Sequence, residues 1–110
     1  MGIEFQMHRA SVNVAKGYRE IQKAYRAVSK GKADSAAHHL DKAANDFGSA
    51  VDHFLKAEDD AYEKAGHEVD KGNGQLAKSI DAWGDFKDGS AEAHLDKALE
   101  HYDRALDLVG

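Results

Sequence analysis

The 110-residue chain contains one segment of fifty-five residues written twice. Displaced by 55 positions, His39-Leu40-Asp41-Lys42-Ala43 falls on His94-Leu95-Asp96-Lys97-Ala98. The match extends to both sides: Lys16-Gly17 meets Lys71-Gly72, Ser35-Ala36 meets Ser90-Ala91, Phe47 meets Tyr102 and Ala50 meets Ala105. Residues 8–55 and 63–110 agree at sixteen of forty-eight ungapped positions. A helical unit that cannot bury its own apolar face, present twice, implies one core shared between the copies.

The copies read as helices. Nineteen Ala, no Pro and four Phe leave too few aromatic and β-branched residues for a sheet core, and Ala is the strongest helix former. In the first helix Met7, Ala10, Val14, Tyr18, Ile21, Tyr25 and Val28 recur every three or four residues, and Gly31 stops it. The second helix starts with Asp34 or Ser35 as N-cap and carries Ala36, Leu40, Ala43, Phe47, Ala50, Val51 and Phe54 on one face. No Gly or Pro separates it from the third, so one helix over residues 34–71 is an alternative. The capping-box pattern Asp60-Ala61-Tyr62-Glu63 favours a tight turn at 56–60 instead. The third helix, with Tyr62, Ala65, Val69, Leu76, Ile80 and Trp83, is expected to kink or break briefly at Gly72-Asn73-Gly74. Asp88-Gly89-Ser90 then forms a turn before a fourth helix with Leu95, Ala98, Leu99, Tyr102, Ala105 and Leu106.

The expected fold is all-α: an antiparallel four-helix up-and-down bundle of two duplicated αα-hairpins related by a pseudo-twofold axis. It forms one domain over residues 1–110, with repeat units near 8–55 and 63–110. Tyr18, Ile21, Tyr25, Leu40, Phe47, Ile80, Trp83, Leu95 and Tyr102 are expected inside. Gly17 and Gly72, at the same repeat position within helices, indicate either the close passage of another backbone or two tolerated glycines.

The spacing Ala43-x3-Phe47-x2-Ala50, repeated at Ala98-x3-Tyr102-x2-Ala105, resembles the second helix of a tetratricopeptide repeat. That unit is 34 residues long, and here the period is 55 and the first helix too long. The spacing is read as small-large helix packing, with no family assigned.

Composition narrows the chemistry. Without Cys there is no disulfide, thiolate metal site, iron–sulfur cluster or covalent haem attachment. No apolar run approaches a membrane span and no signal-peptide core is present, so a cytoplasmic protein with no membrane association is expected. Met1-Gly2 opens a myristoylation pattern, but Gln6 stands where Ser or Thr is required. Residues 1–6 precede the repeat and are expected as a fraying tail.

Histidine is frequent, with seven residues. His39, Asp46 and His53 line one edge of the second helix at heptad spacing, and His94 and His101 line the matching edge of the fourth. Imidazoles so placed in a bundle could hold a divalent metal, and His39, His53, His94 and His101 are the candidate ligands. The Glu-x-x-His signature of di-iron bundles is absent, and the pairs Glu4-x3-His8, Asp34-x3-His38 and Glu63-x3-His67 are of a kind common on exposed helix faces. Met7 and His101, at adjacent bundle ends, resemble the Met/His axial pair of soluble four-helix b-type cytochromes, which implies non-covalent haem as a further alternative. The preferred reading has no cofactor: boundary histidines, and Met7 as core filler.

Charge is polarised. Arg9, Lys16, Arg19, Lys23, Arg26 and Lys30 form one narrow stripe on the first helix, opposite its apolar face, whereas Asp88, Glu92, Asp96, Glu100, Asp103 and Asp107 load the fourth. Residues 1–55 carry eight basic and six acidic groups, net +2; residues 56–110 carry seven and fourteen, net −7. Nucleic acid is disfavoured by the overall charge of −5 and by the lack of a binding motif. Lys71-Gly72-Asn73-Gly74-Gln75 lacks the ending of a phosphate loop, and no spacing singles out a catalytic triad. The expected function is that of a non-enzymatic protein–protein interaction or assembly module, using the basic stripe on a partner. Self-association into a homodimer, the first helix of one copy facing the fourth of another, is one form of this.

Overall fold

Apolar residues spaced by three and four draw one buried stripe on each of four helices. In the computed structural model, which describes residues 3–109 with side chains from residue 5, these are α1 (Ile3–Ser29), α2 (Ala33–Lys56), α3 (Asp60–Gly84) and α4 (Asp88–Val109). No strand occurs among the described residues. Three-residue turns join consecutive helices, which pack antiparallel into an elongated bundle of 44 × 18 × 18 Å. None of the four is long and apolar enough to cross a membrane. Met1 and Gly2, where the myristoylation pattern begins, lie outside the described residues. Residues 3–6 are helical rather than a fraying tail, and Gln6 is buried against the bundle.

The middle of the core is aromatic. Phe47 and Tyr102 stack with ring centroids 3.7 Å apart and planes 16° from parallel. Tyr18 meets both edge-on, at 5.7 and 6.3 Å. The two stacked rings are equivalent residues of the sequence repeat, and each lies over the glycine of its own hairpin. A Cβ at Gly17 would come within 2.6 Å of the Phe47 ring, and one at Gly72 within 2.5 Å of the Tyr102 ring. Both glycines are therefore recesses for the rings.

At Gly72-Asn73-Gly74, where a kink or a short break is expected, α3 continues without a break. The reason is tertiary: the Tyr102 ring fills the recess at Gly72, and the Tyr102 hydroxyl donates to Asn73 Oδ1 at 2.7 Å. These contacts offset the poor helix propensity of the segment. The turn between α2 and α3 falls at residues 57–59, within the expected range, but its cap is Asp59 and not Asp60. Glu58 takes a left-handed conformation (φ +53°) that reverses the chain. Asp59 is then the first extended residue, and its carboxylate accepts from the amides of Ala61 and Tyr62.

Two further boundaries differ from expectation. Lys32, without a side-chain cap, precedes α2, so Asp34 and Ser35 lie inside it. Asp88-Gly89-Ser90 is the first turn of α4, and the connection is 85–87. Both shifts have one cause. α1 closes with Gly31 N–H on Val28 O and Lys32 N–H on Ala27 O, and α3 closes with Phe86 N–H on Trp83 O and Lys87 N–H on Ala82 O. This is the Schellman pattern, which needs a left-handed residue after the helix. Gly31 supplies it at φ +74°; Phe86 supplies it at φ +59°, where a residue with a Cβ costs about 1–2 kcal/mol.

The four sides of the bundle are unequal. Consecutive helices approach closely, but among the described residues no Cα of α1 lies within 8 Å of one in α4. Residue size explains the difference. The α2–α3 seam has Ala44 and Asn73, whose repeat equivalents are Leu99 on α4 and Tyr18 on α1. The larger pair holds α1 and α4 apart, and Tyr18 spans the gap by donating to Asp103 Oδ1 at 2.8 Å. Tyr25, expected in the core, lies at this wider seam and is 44 % exposed. Tyr18 and Ile80 are only partly buried, while Ile21, Leu40, Phe47, Trp83, Leu95 and Tyr102 are buried as expected.

An Ala in place of a mid-helix Gly ordinarily stabilises by about 1 kcal/mol. Gly74→Ala, with nothing within 4 Å of the new methyl, should raise the melting temperature accordingly. Gly17→Ala and Gly72→Ala should each lower it, overpacking costing about 1–3 kcal/mol, because the stacked rings have nowhere to move. Thermal denaturation of the three variants checks both signs.

Candidate functional site

Five basic residues of α1, expected opposite its apolar face, instead lie on the flank next to α2, because the packing of α2 against α1 brings its own polar residues up to them. Lys16, Arg19 and Lys23 share an open groove of about 470 Å³ with Lys42, Asn45 and Asp46 of α2, with Glu20 on its floor. Toward the α1–α2 turn the groove continues past Arg26, Lys30, Lys32, Ser35 and His39. Five of the six stripe residues therefore come together, joined by Lys32 and Lys42, which the sequence reading had not assigned. Arg9 stands apart, its guanidinium 5.9 Å from the Phe5 ring centroid.

The groove has cations on its rim and two carboxylates on its floor. Glu20 accepts from His39 Nδ1 at 2.8 Å and from Lys23 at 3.2 Å. Burial would raise the Glu20 pKa, but these bonds outweigh it and hold the carboxyl below its ordinary value. Asp46 moves upward, first because it is partly buried and then because Glu20 is near; Lys16 and Arg19 oppose the shift. Among the described residues Lys16, Arg19, Arg26, Lys30, Lys32 and Lys42 form no ion pair within 4 Å. They are free of direct ion pairs, with Asp46 close enough to Lys16 and Arg19 to feel their charge.

The candidate ligand histidines are distributed over two seams. On the α1–α2 side His39 bonds Glu20 and His53 Nδ1 donates to Gln6 Oε1 at 2.7 Å. On the α3–α4 side His94 Nδ1 donates to Gln75 Oε1 and His101 Nδ1 to Glu68 Oε2, both at 2.8 Å. The His39–Glu20 and His94–Gln75 pairs occupy equivalent repeat positions. Each histidine thus ties the two helices of its own hairpin. Among the described residues no three His, Asp or Glu side chains gather as a metal site would require. Of the haem alternative's pair, His101 is directed to Glu68 on α3 and Met7 packs against the core on α1. His67 and Glu63 form a loose pair at 3.8 Å on an exposed face. The side chain of Glu4 lies outside the described residues.

Three acids of α4 reach the wider seam. Asp103 accepts the Tyr18 hydroxyl, while Asp96 and Glu92 sit near Tyr25. The Tyr25 pKa is raised, first by partial burial and then by those two carboxylates. The acids of α4 and the cations of α1 are not in contact as neighbours: among the described residues no ion pair joins the two helices.

Glu68 is held below the ordinary glutamate pKa by the His101 hydrogen bond first, with Lys71 and Arg104 assisting against burial. A carboxyl whose pKa is lowered by folding stabilises the protein above its unfolded value and loses that contribution as pH falls through the folded one. Acid should therefore weaken the bundle progressively below about pH 4.5. Glu20→Gln reproduces the Gln75–His94 pair and so keeps a partner for His39. The Glu20→Gln/Glu68→Gln variant should lose less stability than the wild type in this range, as urea midpoints measured against pH will show.

No family model matches this chain, and no curated protein and no solved structure is similar to it, so the functional reading rests on the arrangement of its residues.

Proposed function

We propose that this protein is a non-enzymatic helical binding module whose α1–α2 groove takes the acidic face of a protein partner. The observation that carries this reading is the row Lys16, Arg19, Lys23, Arg26 and Lys30, free of direct ion pairs among the described residues except at Lys23. The intervals alternate between three and four residues, so one cation falls on each turn, about 5.4 Å from the next. An acidic helix laid lengthwise presents carboxylates at the same rise. Nucleic acid fits less well, because the chain carries net −5 and the second half would repel a large polyanion.

A second copy meets the requirement too. Glu92, Asp96, Glu100, Asp103 and Asp107 of α4 recur at intervals of three and four. The groove of one copy and the acidic row of another are complementary, which is the homodimer contact expected from the sequence. A swap of hairpins between chains has no support, since α2 and α3 are separate helices with a capped turn. A cytoplasmic setting belongs to the same reading: the chain has no Cys, and among the described residues no helix is long and apolar enough to cross a membrane.

The test uses a fluorescein-labelled helical peptide with Glu at alternating three- and four-residue spacing, and a single-stranded oligonucleotide of equal charge. Anisotropy should show the peptide binding at low salt and weakening as salt rises, since exposed charge pairs contribute at most about 1 kcal/mol each and are screened. Lys16→Ala/Arg19→Ala/Lys23→Ala should lose about tenfold or more in affinity while keeping its helical circular dichroism. Equal binding by that variant, or tighter binding of the oligonucleotide, contradicts the reading.

A further inference from the structure

The two turns at one end of the bundle close with the same hydrogen bonds, but the residues that close them differ. Gly31 adopts the left-handed conformation freely; at the equivalent position Phe86 adopts it under strain and is 82 % exposed. The ring therefore gains no burial within its own chain in return for that strain. An aromatic side chain held so, in water, is a feature that folding alone does not explain.

The surroundings match it. Between the turns is a cleft of about 240 Å³ lined by Val28, Gly31, Ala33, Trp83, Phe86 and Asp88, enough for a phenyl ring. Gly31 leaves its side open, since a Cβ there would meet nothing within 4 Å. Trp83, on the cleft wall, is buried with its indole N–H unpaired among the described residues. Unpaired buried donors are uncommon.

We propose that this end of the bundle is a homodimer interface, with Phe86 of each copy entering the cleft beside Gly31 of the other. Charge favours a second copy as the occupant. Residues 30–33, Lys-Gly-Lys-Ala, carry +2, and the equivalent residues 85–88, Asp-Phe-Lys-Asp, carry −1. A twofold axis across the bundle end brings the basic turn of one copy over the acidic turn of the other, twice. Each copy then contributes one knob and one opening, so the contact is isologous and closes at two. With a cross-section of 18 × 18 Å on each copy, the contact buries about 650 Å² in total, below the size of stable interfaces, which makes the dimer a weak and exchanging one. It uses none of Lys16, Arg19 and Lys23, so it stands or falls independently of the groove.

Sedimentation velocity of the full chain from about 10 μM to about 1 mM should show a concentration-dependent monomer–dimer equilibrium. Phe86→Gly restores the residue that Gly31 already shows to be compatible with the turn, so the variant folds. It should weaken dimerisation about tenfold or more, as loss of a central aromatic anchor does. Asp85→Lys should weaken it several-fold, and Asp85→Lys/Lys30→Asp should recover the wild-type affinity. Lys16→Ala/Arg19→Ala/Lys23→Ala should leave it unchanged. A wild-type chain monomeric throughout that range would overturn the proposal and assign the cleft to another apolar partner. Dimerisation of Phe86→Gly with wild-type affinity would overturn it equally.

Discussion

The stack of Phe47 on Tyr102 is the interaction from which the rest of the bundle takes its dimensions. Two large rings 3.7 Å apart can occupy one level of a four-helix core only if the helices behind them give way. Gly17 and Gly72 provide that room, one on each hairpin. Alanine fills much of the remaining interior, with Ala10, Ala36, Ala43, Ala50, Ala65, Ala91, Ala98 and Ala105 all buried. Close helix approach above and below the stack follows from those small side chains, and the aromatic level supplies the large apolar area that alanines lack.

Differences between the copies then shape the outside. Where the second hairpin has Asn73, the first has Tyr18, and this exchange makes the α2–α3 seam tight and the α1–α4 seam wide. A tyrosine at the wide seam needs a polar partner at its tip, and Asp103 provides one. Three acids of α4 are thereby placed at this seam while the cations of α1 collect along α2. Inside each hairpin the histidine pairs do a different job, joining helices through acid or amide partners where the apolar stripe ends. The polarised surface thus comes from the positions at which the two hairpins differ, while their interior pattern is the same.

Much of the fold was readable from periodicity, because apolar residues at three- and four-residue spacing and a 55-residue offset both report on burial. Leu40, Phe47, Leu95 and Tyr102 are where the spacing puts them. What the sequence hid depends on contacts between distant residues. Gly72-Asn73-Gly74 reads locally as a break, and only the Tyr102 ring, 30 residues away, shows why the helix continues. Tyr25 has core spacing on its own helix, but its exposure is set by how far α4 stands from α1. Phe86 was invisible as a left-handed residue because no propensity places a phenylalanine there; its alignment with Gly31 was the available signal. Of the basic groove, the α1 row was visible as a stripe, while Lys42 and Asp46 joined it only through the pairing of α1 with α2.

The account makes the two hairpins depend on each other through a single pair of rings, and a double-mutant cycle measures that dependence. Phe47→Leu and Tyr102→Leu, alone and together, would be unfolded in urea at neutral pH. If the stack joins the hairpins, the double variant should lose less than the sum of the single losses, with a coupling of about 1 kcal/mol or more. Strict additivity within about 0.3 kcal/mol would contradict it, leaving each ring as an independent filler of its own hairpin.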